Sequence, residues 1–125
     1  MAYADLGEVR TAIGYYEQAL NIARETGDRR GESTHLGNLG NAYGELGEVR
    51  TAIGYHEQAL AISREIGDRR GEGSDLGNLG TAYRNLGEVR TAIGYYEQAL
   101  AISREIGDKR NEGNWLGNLG SAYYS

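Results

Sequence analysis

The chain has 125 residues, the size of one ordinary domain, and its 39% hydrophobic and 25% charged residues exclude both a disordered tail and a membrane protein. A formal charge of -5 argues against a phosphate-neutralising module, so no nucleic acid is expected as a partner. No apolar run approaches the roughly 20 residues of a membrane span, MAYADLGEVR carries no signal-peptide core, and the absence of cysteine excludes disulfides and thiolate metal sites; the expectation is no membrane association and a lean to the cytoplasm.

In chain order, Ala2-Tyr3 reads as the end of one kind of helix, called helix A. From Leu6 the segment LGEVRTAIGY opens a second kind, helix B, and it returns at Leu46 and Leu86, with EQAL following at Glu17, Glu57 and Glu97. The period is therefore 40 throughout. Units one and two agree at about 30 of 40 positions and units two and three at about 32, which marks a solenoid made by recent duplication or by design.

After the first helix B, Leu36, Leu39, Gly40, Tyr43 and Leu46 fall at helical spacing and form one apolar stripe on helix A. Leu46-Gly47-Glu48 turns the chain into the next helix B. There Val49, Ala52, Ile53, His56, Ala59, Leu60 and Ile66 spread over a wider arc, as in a helix buried on two sides. Gly67 suits the left-handed position that ends a helix, and Asp68 suits the N-cap of the next one. Arg64 in a last turn and Glu72 in a first turn match the helix dipoles. Short turns make neighbouring helices antiparallel. Continued to Ala122-Tyr123, the pattern predicts a single all-α array over 1–125, in B-A-B-A-B-A order, with units 6–45, 46–85 and 86–125.

Twenty glycines with no proline is unusual for helices, since an interior glycine costs roughly 0.5 to 1 kcal/mol relative to alanine. Gly14, Gly31, Gly37 and Gly40 all fall inside predicted helices. Gly40 and Ala59 are expected to let helices A and B meet backbone to backbone, with tyrosines on the flanks. GDRRGES from Gly27 and GEGSDLG from Gly71 follow no strand and lack the Lys-Ser/Thr ending of a phosphate loop, so no nucleotide cofactor is expected. His35 and His56 do not recur in the other units, and His56 replaces Tyr16 and Tyr96, which predicts a packed, hydrogen-bonded core histidine rather than a base or ligand. Asp28-Arg29-Arg30-Gly31-Glu32 reads as a cap with solvated ion pairs. With no metal constellation and no converging acids and bases, the chain is not expected to be an enzyme.

Leu36, Leu39, Gly40, Tyr43, Ala52, the aromatic-type site at His56, and Ala59 together resemble the tetratricopeptide repeat signature, over the whole chain. The triplet Leu36-Gly37-Asn38, repeated at Leu76 and Leu116, is similar to the Leu-Gly-Asn repeats of Pins-type adaptors, kinesin light chains and STAND-type sensor arrays. The resemblance implies a right-handed superhelical solenoid whose concave surface, lined by helix A, holds an extended peptide or partner segment. Carried over, the groove positions are Thr34, Ser74 and Asn114; Asn38, Asn78 and Asn118; Asn41, Thr81 and Ser121; then Gly44, Arg84 and Tyr124, with Glu45, Asn85 and Ser125 completing the stripe. Some members of that family clamp a C-terminal carboxylate with lysines and arginines on this face; here Arg84 is the lone cation at the matching positions.

Asn38, Asn78 and Asn118 are identical in all units, and an amide that both donates and accepts suits an extended peptide backbone; the alternatives are that they bridge adjacent repeats or merely reflect copying. The other stripe positions vary, as does the 35/75/115 position with His35, Asp75 and Trp115, and such variation suits a surface that sets specificity. At the ends, Leu116, Leu119 and Tyr123 have no following helix B in the sequence, which predicts that copies stack head to tail or swap helices. Two function classes follow: a peptide-binding adaptor segment, or a structural, self-assembling array without a ligand.

Overall fold

The computed structural model describes residues 6–125; the expected helix end at Ala2-Tyr3 lies outside them. Six α-helices follow one another: α1 (Leu6–Thr26), α2 (Arg29–Glu45), α3 (Val49–Glu65), α4 (Arg69–Asn85), α5 (Val89–Ile106) and α6 (Lys109–Tyr124). Helices α1, α3 and α5 are the B type, and α2, α4 and α6 the A type. Packing runs between consecutive helices, with a light contact of α2 on α4. The array is thus an all-α solenoid of stacked hairpins.

The turns into the A helices are closed from both sides. At the end of α3 the N–H of Asp68 donates to Ser63 O at 2.9 Å across Gly67, whose φ is +71°. That left-handed value strains any residue with a side chain, so glycine is required there. Asp68 then accepts from Gly71 N as the N-cap of α4, and Asp28 and Asp108 do the same for α2 and α6. Leu46-Gly47-Glu48 and Leu86-Gly87-Glu88 end the A helices with Gly47 and Gly87 also left-handed. The equivalent Leu6-Gly7-Glu8 is helical and belongs to α1.

Leu36, Leu39, Leu76 and Leu79 are at most 1% exposed and form the spine of the core with Ala59, Ala99, Ile62 and Ile102. The glycine expectation is corrected in one respect. Gly40 does not meet a backbone; the His56 ring lies on it, so that a Cβ at Gly40 would stand 2.6 Å from Cε1. Gly80 receives the Tyr96 ring in the same way, with Cε1 2.8 Å from a would-be Cβ. The missing side chain makes a slot for a ring, filling space that a second backbone could not reach. Tyrosines do flank the joint: Tyr43 stacks on Tyr55 at 5.4 Å and Tyr83 on Tyr95 at 5.5 Å.

The charge clusters also do more than cap. Arg29 bonds Glu32 within its own helix and reaches 36 residues ahead to Glu65, at 2.9 and 2.6 Å; Arg69 repeats this with Glu72 and Glu105. Arg30 pairs with Asp68, and Arg70 with Asp108. The ion pairs therefore run along the solenoid as rungs between units.

Candidate functional site

The A helices bring most of the expected groove residues onto one face. Between α2 and α4 a cavity of about 410 Å³ is lined by Asn41, Gly44, Glu45, Asn78, Thr81 and Asn85, with Val49, Ala52 and His56 of α3 as its floor. A second, about 360 Å³, joins Asn38, Asn41 and Glu45 to Val9, Ala12 and Tyr16 of α1. A third, about 200 Å³, collects Thr34, Asn38, Ser74 and Asn78 around Ser33, Ser63 and Asp75. Farther along, Asn114, Ser121 and Tyr124 are exposed on α6, and Arg84 reaches from α4 to Ser125 Oγ at 3.4 Å.

Hydrogen bonds on this face run past the three conserved-in-copy asparagines. Thr34 donates to Arg30 O, Thr81 pairs with the Tyr96 hydroxyl at 2.8 Å, Asn114 donates to Asn111, and Ser125 to Ser121 O. Among the described residues none of these bonds engages Asn38, Asn78 or Asn118, each of which is half-buried. Asn38 and Asn78 line the cavities, and their amides keep donor and acceptor capacity there.

Two residues depart from the expectations. His56 is 3% exposed, as a core residue should be, but its Nδ1 is buried without a hydrogen-bond partner. Burial alone pushes its pKa down to about 4, so the ring is neutral at physiological pH. Asp75 is not a surface variant. It is 7% exposed, accepts from Ser63 Oγ at 2.8 Å, and burial raises its carboxyl to about 7 against the lowering effect of that bond, with Asp68 and Glu72 adding to the rise. Trp115, at the same place in the next unit, covers Gly77 and lies against Tyr96 with ring centres 6.2 Å apart. The 35/75/115 position thus faces the packed interior, with Trp115 reaching back across the unit boundary to Gly77.

The floor residues Tyr16, Val49, Ala52 and His56 belong to B helices and were not expected at the groove. Their helical spacing marks them as core, and they reach the cavities from beneath the A helices. Among the described residues no cluster of metal-ligating side chains occurs, and no helix is long and apolar enough to cross a membrane.

The tetratricopeptide repeat model matches residues 1–65 and 75–125, nearly the full length. The chain belongs to the tetratricopeptide repeat family. No curated protein matches it. Among solved structures it is similar to BtubC (BKLC) from P. vanneervenii, at 27% identity and a TM-score of 0.85, over 94% of this chain and 49% of that one. The TPR domain of Arabidopsis FLU is 29% identical with a TM-score of 0.71, covering 75% of this chain and 79% of that one. A Podosopora anserina putative kinesin light chain with nearly identical TPR-like repeats shares the fold at 24% identity and a TM-score of 0.80, over 97% and 60%. The chain spans about half the length of BtubC. Tetratricopeptide repeats are in general protein-interaction scaffolds, and this array has their helix A face lined with amides and hydroxyls.

Proposed function

We propose that this array is a non-catalytic scaffold that holds an extended peptide or partner segment along the face of α2, α4 and α6. The observation that carries the reading is the set of three amides, Asn38, Asn78 and Asn118, one per unit at the same helical position and without an internal bond. An extended strand offers alternating N–H and C=O groups, and a row of side chains that donate and accept can follow it without demanding a particular sequence. The cavities beside the row would take its side chains. Selection from a displayed random peptide library tests this. Binders should be lost when all three asparagines become alanine, with helical circular dichroism unchanged; binders that survive the triple change would overturn the asparagine reading.

A second reading concerns the ends. Ile22 and Tyr15 on α1, and Leu116 and Tyr123 on α6, are exposed, while their counterparts Ile62, Leu36 and Leu76 are buried and Tyr43 and Tyr83 are stacked on Tyr55 and Tyr95. Leu119 is half-buried, against 0% exposure for Leu39 and Leu79. Lys109 and Arg110 stand where Arg69 and Arg70 make rungs, and Glu25 and Asp28 where Glu65 and Asp68 receive them. The two faces would therefore fit a second copy head to tail in the same register as the internal joints. Molar mass by light scattering should rise with concentration, and Leu116→Glu with Leu119→Glu should hold it at the monomer value. A mass that does not change with concentration in the parent chain removes this reading and leaves the groove reading intact.

A further inference from the structure

Asp75 is unlike anything at its position in the other units, where His35 and Trp115 stand. Its described hydrogen bond comes from Ser63 Oγ, which is itself 3.2 Å from Ser33 Oγ; Ser33 in turn donates to Ala59 O at 3.1 Å. One neutral hydroxyl neither satisfies the lone pairs of a buried carboxylate nor offsets its charge. The charged surroundings do not help. Asp68 and Glu72 bear on it with the same sign. The nearby cations are already engaged, Arg30 on Asp68, and Arg64 and Arg69 on Glu72.

Asp75 differs from an ordinary buried acid in having access. It lines the 200 Å³ crevice on the helix A face, whose walls also include Ser33, Ser63, Thr34, Ser74 and Asp68. Those walls are rich in oxygen acceptors, and Asp68 among them is already paired with Arg30 while Asp75 has no cation beside it among the described ion pairs. A compact positive group with several N–H donors meets that chemistry better than a planar guanidinium, which needs two parallel acceptors in one plane.

We propose that this crevice is a subsite for a primary ammonium, either a lysine side chain or the N-terminal amine of a segment lying along the asparagine row, with Asp75 as its counter-charge. The proposal rests on the groove reading and deepens it. The asparagine row is the same in every unit and cannot fix where along it a peptide sits. A single ammonium site in the middle unit sets that register.

The test compares the full chain with its Asp75→Asn variant, which keeps the shape and the Ser63 contact while removing the charge. Both are used to select from the same displayed random peptide library. Wild-type binders should carry a lysine at one fixed position, or a free N-terminus whose acetylation abolishes binding. A synthetic binder should lose at least about tenfold in affinity on the variant. Lysine→norleucine in that peptide should cost as much on the wild type and nothing on the variant. Equal loss on both chains, or the same sequences at the same affinity from both, overturns the proposal. If the wild type selects no peptide, the groove reading fails, and methylammonium chloride decides the crevice alone: a saturable shift of the Asp75 carboxyl ¹³C resonance supports the subsite, and an unmoved resonance rejects it.

Discussion

The joint between α2 and α3 and the joint between α4 and α5 are the same construction with a different ring and, beside it, Asn41 in one and Thr81 in the other. In the first, His56 lies on Gly40, its Nδ1 unpartnered; in the second, Tyr96 lies on Gly80 and its hydroxyl is held by Thr81. The backbone, the leucine spine and the tyrosine stacks beside them are alike. The slot over glycine is a steric requirement, while the polar end of the ring is adjustable. The chemistry of a cavity floor therefore changes with the ring on helix B together with the helix A residue at 41 or 81 beside it.

The largest effects are expected from acidity, because the first joint holds a buried histidine and its neighbouring seam a buried aspartate. His56 has a folded pKa of about 4 against 6.5 unfolded, so its contribution is present above 6.5 and lost as pH falls through about 4. Asp75 is raised from 3.8 to about 7, so its contribution is present below 3.8 and lost as pH rises through about 7. The two oppose each other across this window. Compared with the parent chain in urea melts, Asp75→Asn should gain about 4 kcal/mol between acid and neutral pH, and His56→Tyr should gain about 3 kcal/mol in the opposite direction. Parallel profiles for parent and variants would mean that neither group is titrated by folding.

Next in size is the slot itself. Gly80→Leu drives a side chain into the Tyr96 ring and should cost about 3 kcal/mol by overpacking. Gly94→Ala, a helical glycine with open space around it, should instead gain up to about 1 kcal/mol. Equal effects at both would show that the ring is not held by the glycine. Smaller still is the bond that the first joint lacks: Tyr96→Phe and Thr81→Val should each cost about 1 kcal/mol, and the double variant no more than either. The smallest effect belongs to the exposed rungs, where Arg69→Ala should slightly lower the urea midpoint at low salt and leave it unchanged at about 1 M salt.

The helix order, the turns and the caps were legible because each depends on a residue with a local reason to be there: Gly67 for a left-handed turn, Asp68 for a cap, leucines at helical spacing. Non-local partners were not legible. A charged residue reads as solvated until the next unit brings Glu65 to Arg29, and the 35/75/115 position reads as a variable surface until stacking folds it into the packed interior. His56 was recognised as a core ring from Tyr16 and Tyr96, but not its missing hydrogen bond, since the sequence alone does not place a partner within reach of a buried ring nitrogen. The stripe of Thr34, Asn38 and Asn41 was readable from helical spacing, whereas its floor came from helices assigned wholly to the core.

Because the helices pack with their neighbours in chain order, and every rung and slot spans a fixed offset, a whole module can be lost or gained without creating a joint of a new kind. At the level of the gene, near-identical tandem segments are the substrate on which unequal recombination acts. Each such event would return a foldable chain with a shorter or longer asparagine row. The length of the helix A face is then heritable, set by copy number before any single residue is changed.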